Sequence, residues 1–185
     1  MACTEEEFLE ILGTEVFIDM NKLIAVSRHG IPERVRSEVW KYLLGVSKND
    51  KSEEERVRKQ QLQDYKEIDK NDSEITKKIR NHLKRYQINS KESRGKVDLQ
   101  SVENRNKIEN IIISYINYNN DIEYNFGMLA ILGPFMCTLQ TESDIFYCYV
   151  AMMKKIEENL AQDSLTSKLS RFMMYFRSVI PELSS

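Results

Sequence analysis

Hydrophobic residues recur along this chain at spacings of three and four positions, which is the period of a helix with one buried face. The clearest case is the run Ile75, Ile79, Leu83 and Tyr86. The same spacing predicts further helices over 6–26 with a break near Gly13, and over 52–68, 104–117, 128–139, 142–158 and 165–180. Consecutive isoleucines at 111–113 would also suit a strand, but the flanking pattern favours a helix. The chain is therefore predicted to be all-α.

One short helix, over 32–44, has clear signals at both ends. It is preceded by Gly30 and opens on Pro32, whose missing N–H is no loss in a first helical turn. Gly45 follows its end, where a left-handed backbone costs glycine little. The helix contains the only tryptophan, Trp40. Because it is too short to be stable alone, we expect it to pack into a larger body.

Polar residues predict where the neighbouring helices begin. Ser52 and Glu55 have the spacing of a capping box, and either Asp72 or Ser73 is expected to cap the helix after the break at 71–73. The polar stretch 87–103 has no periodic pattern and is predicted to be a loop.

Composition narrows the class of protein. The 185 residues suffice for one domain with a core, and a formal net charge of −2 gives no strong field towards nucleic acid or a membrane surface. Three widely spaced cysteines favour a reducing compartment. No apolar run approaches the ~20 residues of a membrane helix. We predict a cytoplasmic protein with no transmembrane segment and no nucleic-acid partner.

The sequence holds no phosphate-binding glycine loop, no nucleophile elbow and no cluster with metal-ligand spacing. We therefore expect no metal and no cofactor of its own, and no enzymatic action on a small substrate. The helix from residue 73 carries a basic face. Its members are Lys77, Lys78, Arg80, Lys84 and Arg85. This face is either a solvated surface or a contact for an acidic or phosphate-bearing partner.

Three stretches, in order, resemble the motifs of the TBC domain, the fold of GTPase-activating proteins for Rab GTPases. The first combines Gly30-Ile31-Pro32, Arg36-x-x-x-Trp40 and Leu43-Leu44-Gly45. The second is Ile79-x-x-His82-x-x-Arg85, similar to IxxDxxR. The third is Tyr124-Asn125-Phe126-Gly127-Met128, similar to YxQGM.

The resemblance implies a TBC-like helical domain over 28–185, with 1–27 as an N-terminal helical extension. An N-terminal subdomain would be followed by the start of a C-terminal subdomain. Because the family's domain continues through further helices, the end at Ser185 predicts either a shortened chain or an incomplete second subdomain.

The resemblance also implies roles for single residues. In the family, the arginine of the second motif and the glutamine of the third act together on GTP held by a Rab. Arg85 takes the arginine's position, whereas His82 replaces the aspartate and Phe126 the glutamine. A phenyl ring has neither donor nor acceptor for orienting water. Further implied roles are partner contact for Tyr124, Asn125 and Gly127, and a structural role for Gly30, Pro32, Arg36 and Trp40.

Two functions remain open. One is a Rab regulator that accelerates GTP hydrolysis with Arg85, while the partner carries the Mg-GTP. The other is a non-catalytic module that binds a Rab or another protein as a scaffold. The resemblance also implies that a Rab partner could recruit the chain to membranes.

Overall fold

A computed structural model describes residues 4–84, 101–119, 122–162, 167 and 169–174. Within these ranges the named elements are helices: α1 (Glu5–Leu12), α2 (Met20–Ser27), α3 (Glu33–Leu43), α4 (Glu54–Glu67), α5 (Ser73–Leu83), α6 (Val102–Tyr118), α7 (Gly127–Thr138) and α8 (Glu142–Gln162). The prediction of an all-α chain is confirmed. The chain divides into two compact units, Met1–Ala151 and Met152–Ser185.

The first three helices share one hydrophobic core. Its buried members are Phe8, Ile11, Ile18, Leu23, Val35, Val39 and Tyr42. The connection before α2 is held to the connection after α3 by main-chain bonds, with the Ile18 amide donating to the Asn49 carbonyl at 2.9 Å. Residues 4–27 are therefore packed on α3 as part of the same body.

The ends of α3 follow the sequence signals. Pro32, with φ of −56°, takes the cap position immediately before the helix. Gly45 has a φ of +74°, the left-handed conformation expected after a helix end. Tyr42 is buried on the core side of α3 and donates its hydroxyl proton to Glu54 at 3.2 Å. The residues at the helix ends did not predict this contact.

The predicted capping box at Ser52 is wrong. Helix α4 begins only at Glu54, and the Ser52 hydroxyl donates to the Asp50 carboxylate at 2.6 Å within the preceding turn. The Asp50 side chain, two residues upstream, therefore binds the serine hydroxyl, which then does not cap the helix. The cap of α5 is Asp72, one of the two residues predicted, whose carboxylate accepts the Ile75 amide at 2.8 Å.

Helix α6 begins earlier than predicted. Its first residue is Val102, so the expected loop does not extend to residue 103. The hydroxyl of Ser101 accepts the Asn104 amide at 3.2 Å, which caps the added turn. The rest of the predicted loop, from 87 to 100, lies outside the described residues.

The isoleucines at 111–113 are helical and buried, so the choice of helix over strand is confirmed. They share the interior of the first unit with buried residues of α7 and α8. These include Met128, Leu129, Leu132, Phe135, Ile145, Phe146 and Tyr149. Residues 167 and 169–174 of the predicted last helix are helical, and its other residues lie outside the described part of the chain. None of the helices described here has both the length and the apolar content that a bilayer crossing requires.

Candidate functional site

The residues of the first motif lie in the segment just before α3 and on α3 itself, and one of them contacts α7. Gly30 has a φ of +106°, which favours glycine, and Arg36 donates from Nη2 to the Ile31 carbonyl at 2.9 Å. The half-buried Trp40 ring meets Phe135 of α7 edge-on, with ring centroids 5.5 Å apart. This contact links the first motif to α7, the helix that begins within the third motif.

Helix α5 presents the second motif. Ile79 and Leu83 are fully buried on its inner face, and His82, half-buried, lies beside them in the last turn. On another edge of the helix, the Arg80 guanidinium binds the Glu109 carboxylate through two bonds of 2.7 and 2.9 Å. That contact fixes α5 against α6.

The third motif lies in an extended segment that turns into α7. Phe126 takes a helical φ of −62° at the cap position, and the Met128 amide donates to the Asn125 carbonyl at 3.2 Å. Buried Met128 and Leu129 hold the start of the helix to the interior. The side chains of Asn125 and Phe126 are left at the surface, with Phe126 46% exposed.

The substituted position of the second motif contacts the third motif directly. His82 Nδ1 lies 3.0 Å from the Tyr124 hydroxyl, and the two rings stack with centroids 5.6 Å apart. Phe126 meets the His82 ring edge-on at 5.3 Å. Burial raises the pKa of Tyr124 to about 12, so its hydroxyl stays protonated well above neutral pH.

The cluster of His82, Tyr124 and Phe126 limits the available chemistry. The Nδ1 of His82 is engaged with the Tyr124 hydroxyl, and the phenyl ring of Phe126 offers carbon surface without donor or acceptor. The segment 122–127 carries one carboxamide, on Asn125, which is exposed. Arg85 lies outside the described residues. Among the residues that are described, there is no group of three side chains suited to a metal ion.

The Arg80–Glu109 ion pair was not predicted from the sequence. Glu109 is 7% exposed, between isoleucines on the inner side of α6. A carboxylate within a hydrophobic run was the available signal, because a buried charge requires a partner. The sequence placed Arg80 on the basic face, but the structure pairs it with α6 instead.

Comparison with known proteins identifies the class. The family model described as Rab-GTPase-TBC domain matches residues 33–185. The chain belongs to this family.

The chain is also similar to known TBC-domain and GTPase-activating proteins. Human TBC1 domain family member 16 is 28% identical over 81% of this chain and 22% of its own length. Human TBC1 domain family member 17 is 24% identical over 97% of the chain and 30% of its own length. GTPase-activating protein GYP7 of Candida glabrata is 27% identical over 71% of the chain and 22% of its length. The chain thus spans less than a third of these relatives.

Proposed function

We propose that this chain regulates a Rab-family GTPase by binding it at the surface formed by the end of α5 and the segment before α7. The observation that carries the proposal is the contact of His82 with Tyr124 and Phe126. It brings the second and third motif positions together, as a site acting on one partner requires.

For catalysis, the candidate is Arg85 as an arginine finger. Phosphoryl transfer to water develops charge on the γ-phosphate oxygens, and a guanidinium supplied in trans stabilises that charge. Such a finger accelerates GTP hydrolysis by about 10³–10⁵. In this function the chain has no enzymatic reaction of its own, because the Mg-GTP and the hydrolytic site belong to the GTPase.

The alternative function is binding without catalysis, and Phe126 favours it. The ring stands where the resemblance calls for a glutamine, and a hydrocarbon ring cannot orient the attacking water. A module of this kind would dock on a Rab, or on another protein, and act as a scaffold.

Single-turnover GTP hydrolysis by a panel of Rabs, with and without the chain, separates the two functions. Acceleration that Arg85→Ala abolishes supports the finger. Binding to GTP-loaded Rab without acceleration supports the scaffold. Failure to bind any Rab contradicts the finger and the Rab scaffold, and leaves only a scaffold for another protein.

Two further variants sharpen this experiment. Phe126→Gln restores a carboxamide at the motif position, so a gain in hydrolysis would mean that only the amide is missing. Asn125→Ala is the matched test, because Asn125 carries the carboxamide already present in that segment. Acceleration that survives in Asn125→Ala and is lost in Arg85→Ala would assign the chemistry to the arginine alone.

A further inference from the structure

Asn125 carries an unused carboxamide. The side chain is exposed, and within the described part of the chain neither its Oδ1 nor its Nδ2 forms a hydrogen bond. Other asparagines behave differently, since Asn110, Asn117 and Asn119 all donate from Nδ2 to acceptors at 2.8 to 3.1 Å. The Asn125 carboxamide is therefore available to a water molecule or to a group on a bound partner.

The main chain that carries this carboxamide is fixed at the candidate site. The Asn125 carbonyl accepts the Met128 amide at 3.2 Å in the first turn of α7. Both neighbouring side chains contact His82, Tyr124 through its hydroxyl and Phe126 through its ring. A side chain on a main chain held in this way needs little reorganisation to act on a partner, which is a requirement for catalysis.

Gly127, the first residue of α7, leaves room for the carboxamide. A Cβ at position 127 would lie 3.0 Å from Asn125 Oδ1, which is closer than an ordinary contact. The backbone itself does not require glycine here, because Gly127 is helical and its φ is not positive. Any larger residue would displace the Asn125 side chain by a few tenths of an ångström or more.

Hydrolysis of GTP requires a group that orients the attacking water. The water oxygen forms a bond to the γ-phosphorus, the bond to the β–γ bridging oxygen breaks and leaves its electron pair on GDP, and the water releases a proton to solvent as inorganic phosphate forms. A carboxamide suits this task, because its oxygen accepts a proton of the water while its NH₂ group donates to an oxygen. Of the two neighbours, Tyr124 is already engaged with His82 and Phe126 has no polar side-chain atom.

We propose that Asn125 is a catalytic residue that orients the attacking water at the γ-phosphate of the GTP held by the partner, and that Gly127 is a positioning residue for its carboxamide. The inference rests on the catalytic form of the proposed function, with Arg85 as the finger. It assigns to residue 125 the hydrogen bonds that a phenyl ring at residue 126 cannot make.

The test is single-turnover GTP hydrolysis by the Rabs of the panel that wild type accelerates, measured over a range of chain concentrations. We expect Asn125→Ala to lower the maximal rate about 100-fold, the scale for loss of one hydrogen-bonding group that acts on the transition state. The half-saturating concentration should change less than about threefold. Glu123→Ala, at an exposed side chain of the same segment, is the matched control and should change the rate less than about twofold.

Gly127→Ala tests the positioning role. We expect the maximal rate to fall about tenfold, because a small misplacement of a catalytic group is costly. In the Asn125→Ala background the same change should have no further effect on the maximal rate, since the group that it displaces is gone. An equal fall in both backgrounds would overturn the positioning role, because Gly127 would then act independently of Asn125.

The remaining outcomes separate this inference from the proposed function. Wild-type acceleration that survives in Asn125→Ala overturns the inference and leaves the proposed function intact. A variant that only raises the half-saturating concentration also overturns it, because Asn125 would then be a binding contact. Absence of acceleration by the wild type overturns the inference together with the finger. Unchanged Trp40 fluorescence and urea midpoints check that each variant is folded.

Discussion

Replacing Phe8 tests whether the N-terminal helices belong to the same folded body as α3. Phe8 lies on α1, before the family match at residue 33, and its side chain is 0% exposed. It shares a core with Val35 and Val39 of α3. Phe8→Ala removes a phenyl ring from this core, and we expect a large loss of stability.

The magnitude follows from the burial. A buried aromatic side chain removes about 150–250 Å² from water, worth about 4–6 kcal/mol at about 25 cal/mol per Å². Alanine retains part of that burial, while the surrounding core relaxes incompletely around the space left. Core Phe→Ala changes accordingly cost about 3–5 kcal/mol. We expect a loss of about 4 kcal/mol in the free energy of unfolding of the first unit.

Urea unfolding followed by Trp40 fluorescence measures this loss. Trp40 is the only tryptophan and lies on α3, so its signal reports on the first unit. With a denaturant slope of about 2 kcal/mol/M, the expected loss lowers the midpoint by about 2 M. The matched control is Leu9→Ala on the same helix, where the side chain is 51% exposed and the expected change is below about 1 kcal/mol.

A Phe8→Ala change of less than about 1 kcal/mol, with an unaltered slope, would refute the reasoning, since truncation in a shared core costs more. It would mean that α1 detaches before the body that contains Trp40 unfolds. Similar losses for Phe8→Ala and Leu9→Ala would also contradict it, because only Phe8 is buried. The exposed ion pair Arg34–Glu5, which also joins α1 to α3, contributes little to either result.

Three further outcomes are expected. Tyr65→Phe removes the hydroxyl that bonds Glu142 at 2.6 Å and should cost about 2 kcal/mol in urea unfolding, whereas no change would show that the bond is replaced. Stability should fall as pH rises from about 10 to about 12, because unfolding lets buried tyrosines ionise at their ordinary pKa, while burial holds the folded pKa of Tyr124 at about 12. Tyr124→Phe should reduce this fall in urea midpoints without abolishing it, because burial also raises the pKa of Tyr42, Tyr65, Tyr147 and Tyr149. At pH 8, peptide-resolved alkylation should modify Cys137 faster than Cys148, whose thiol is fully buried with its pKa raised by burial to about 12. Equal rates would contradict the burial of Cys148.

The sequence predicted a local structure well where the neighbouring residues alone determine it. Asp72 caps α5 because its carboxylate has one obvious target, the free amides of the first turn. The isoleucines of α6 are helical because the apolar spacing continues on both sides. Ser52 shows the limit of such signals, since its hydroxyl had two possible partners and the nearer Asp50 accepted it.

The arrangement at the candidate site was less predictable. Motif resemblance named His82, Tyr124 and Phe126, but nothing local places residues from two distant segments in contact. The hydrogen bond and ring contacts that join them depend on how α5 and α7 pack, which is set by many buried side chains together. The Arg80–Glu109 pair has the same origin, since neither residue determines its partner through the local sequence.

The Arg80–Glu109 bond determines whether the Arg80 guanidinium can bind a phosphate. Arg80 stands inside the second motif, five residues before Arg85, and could be mistaken for a substitute finger. Its Nε and Nη2 donors are already committed to a carboxylate that is 9% exposed as a side chain. Turning this guanidinium towards a nucleotide would strand Glu109 in the interior without a counter-ion. The fold therefore reserves Arg80 for holding α5 and excludes it as the cation for an incoming phosphate.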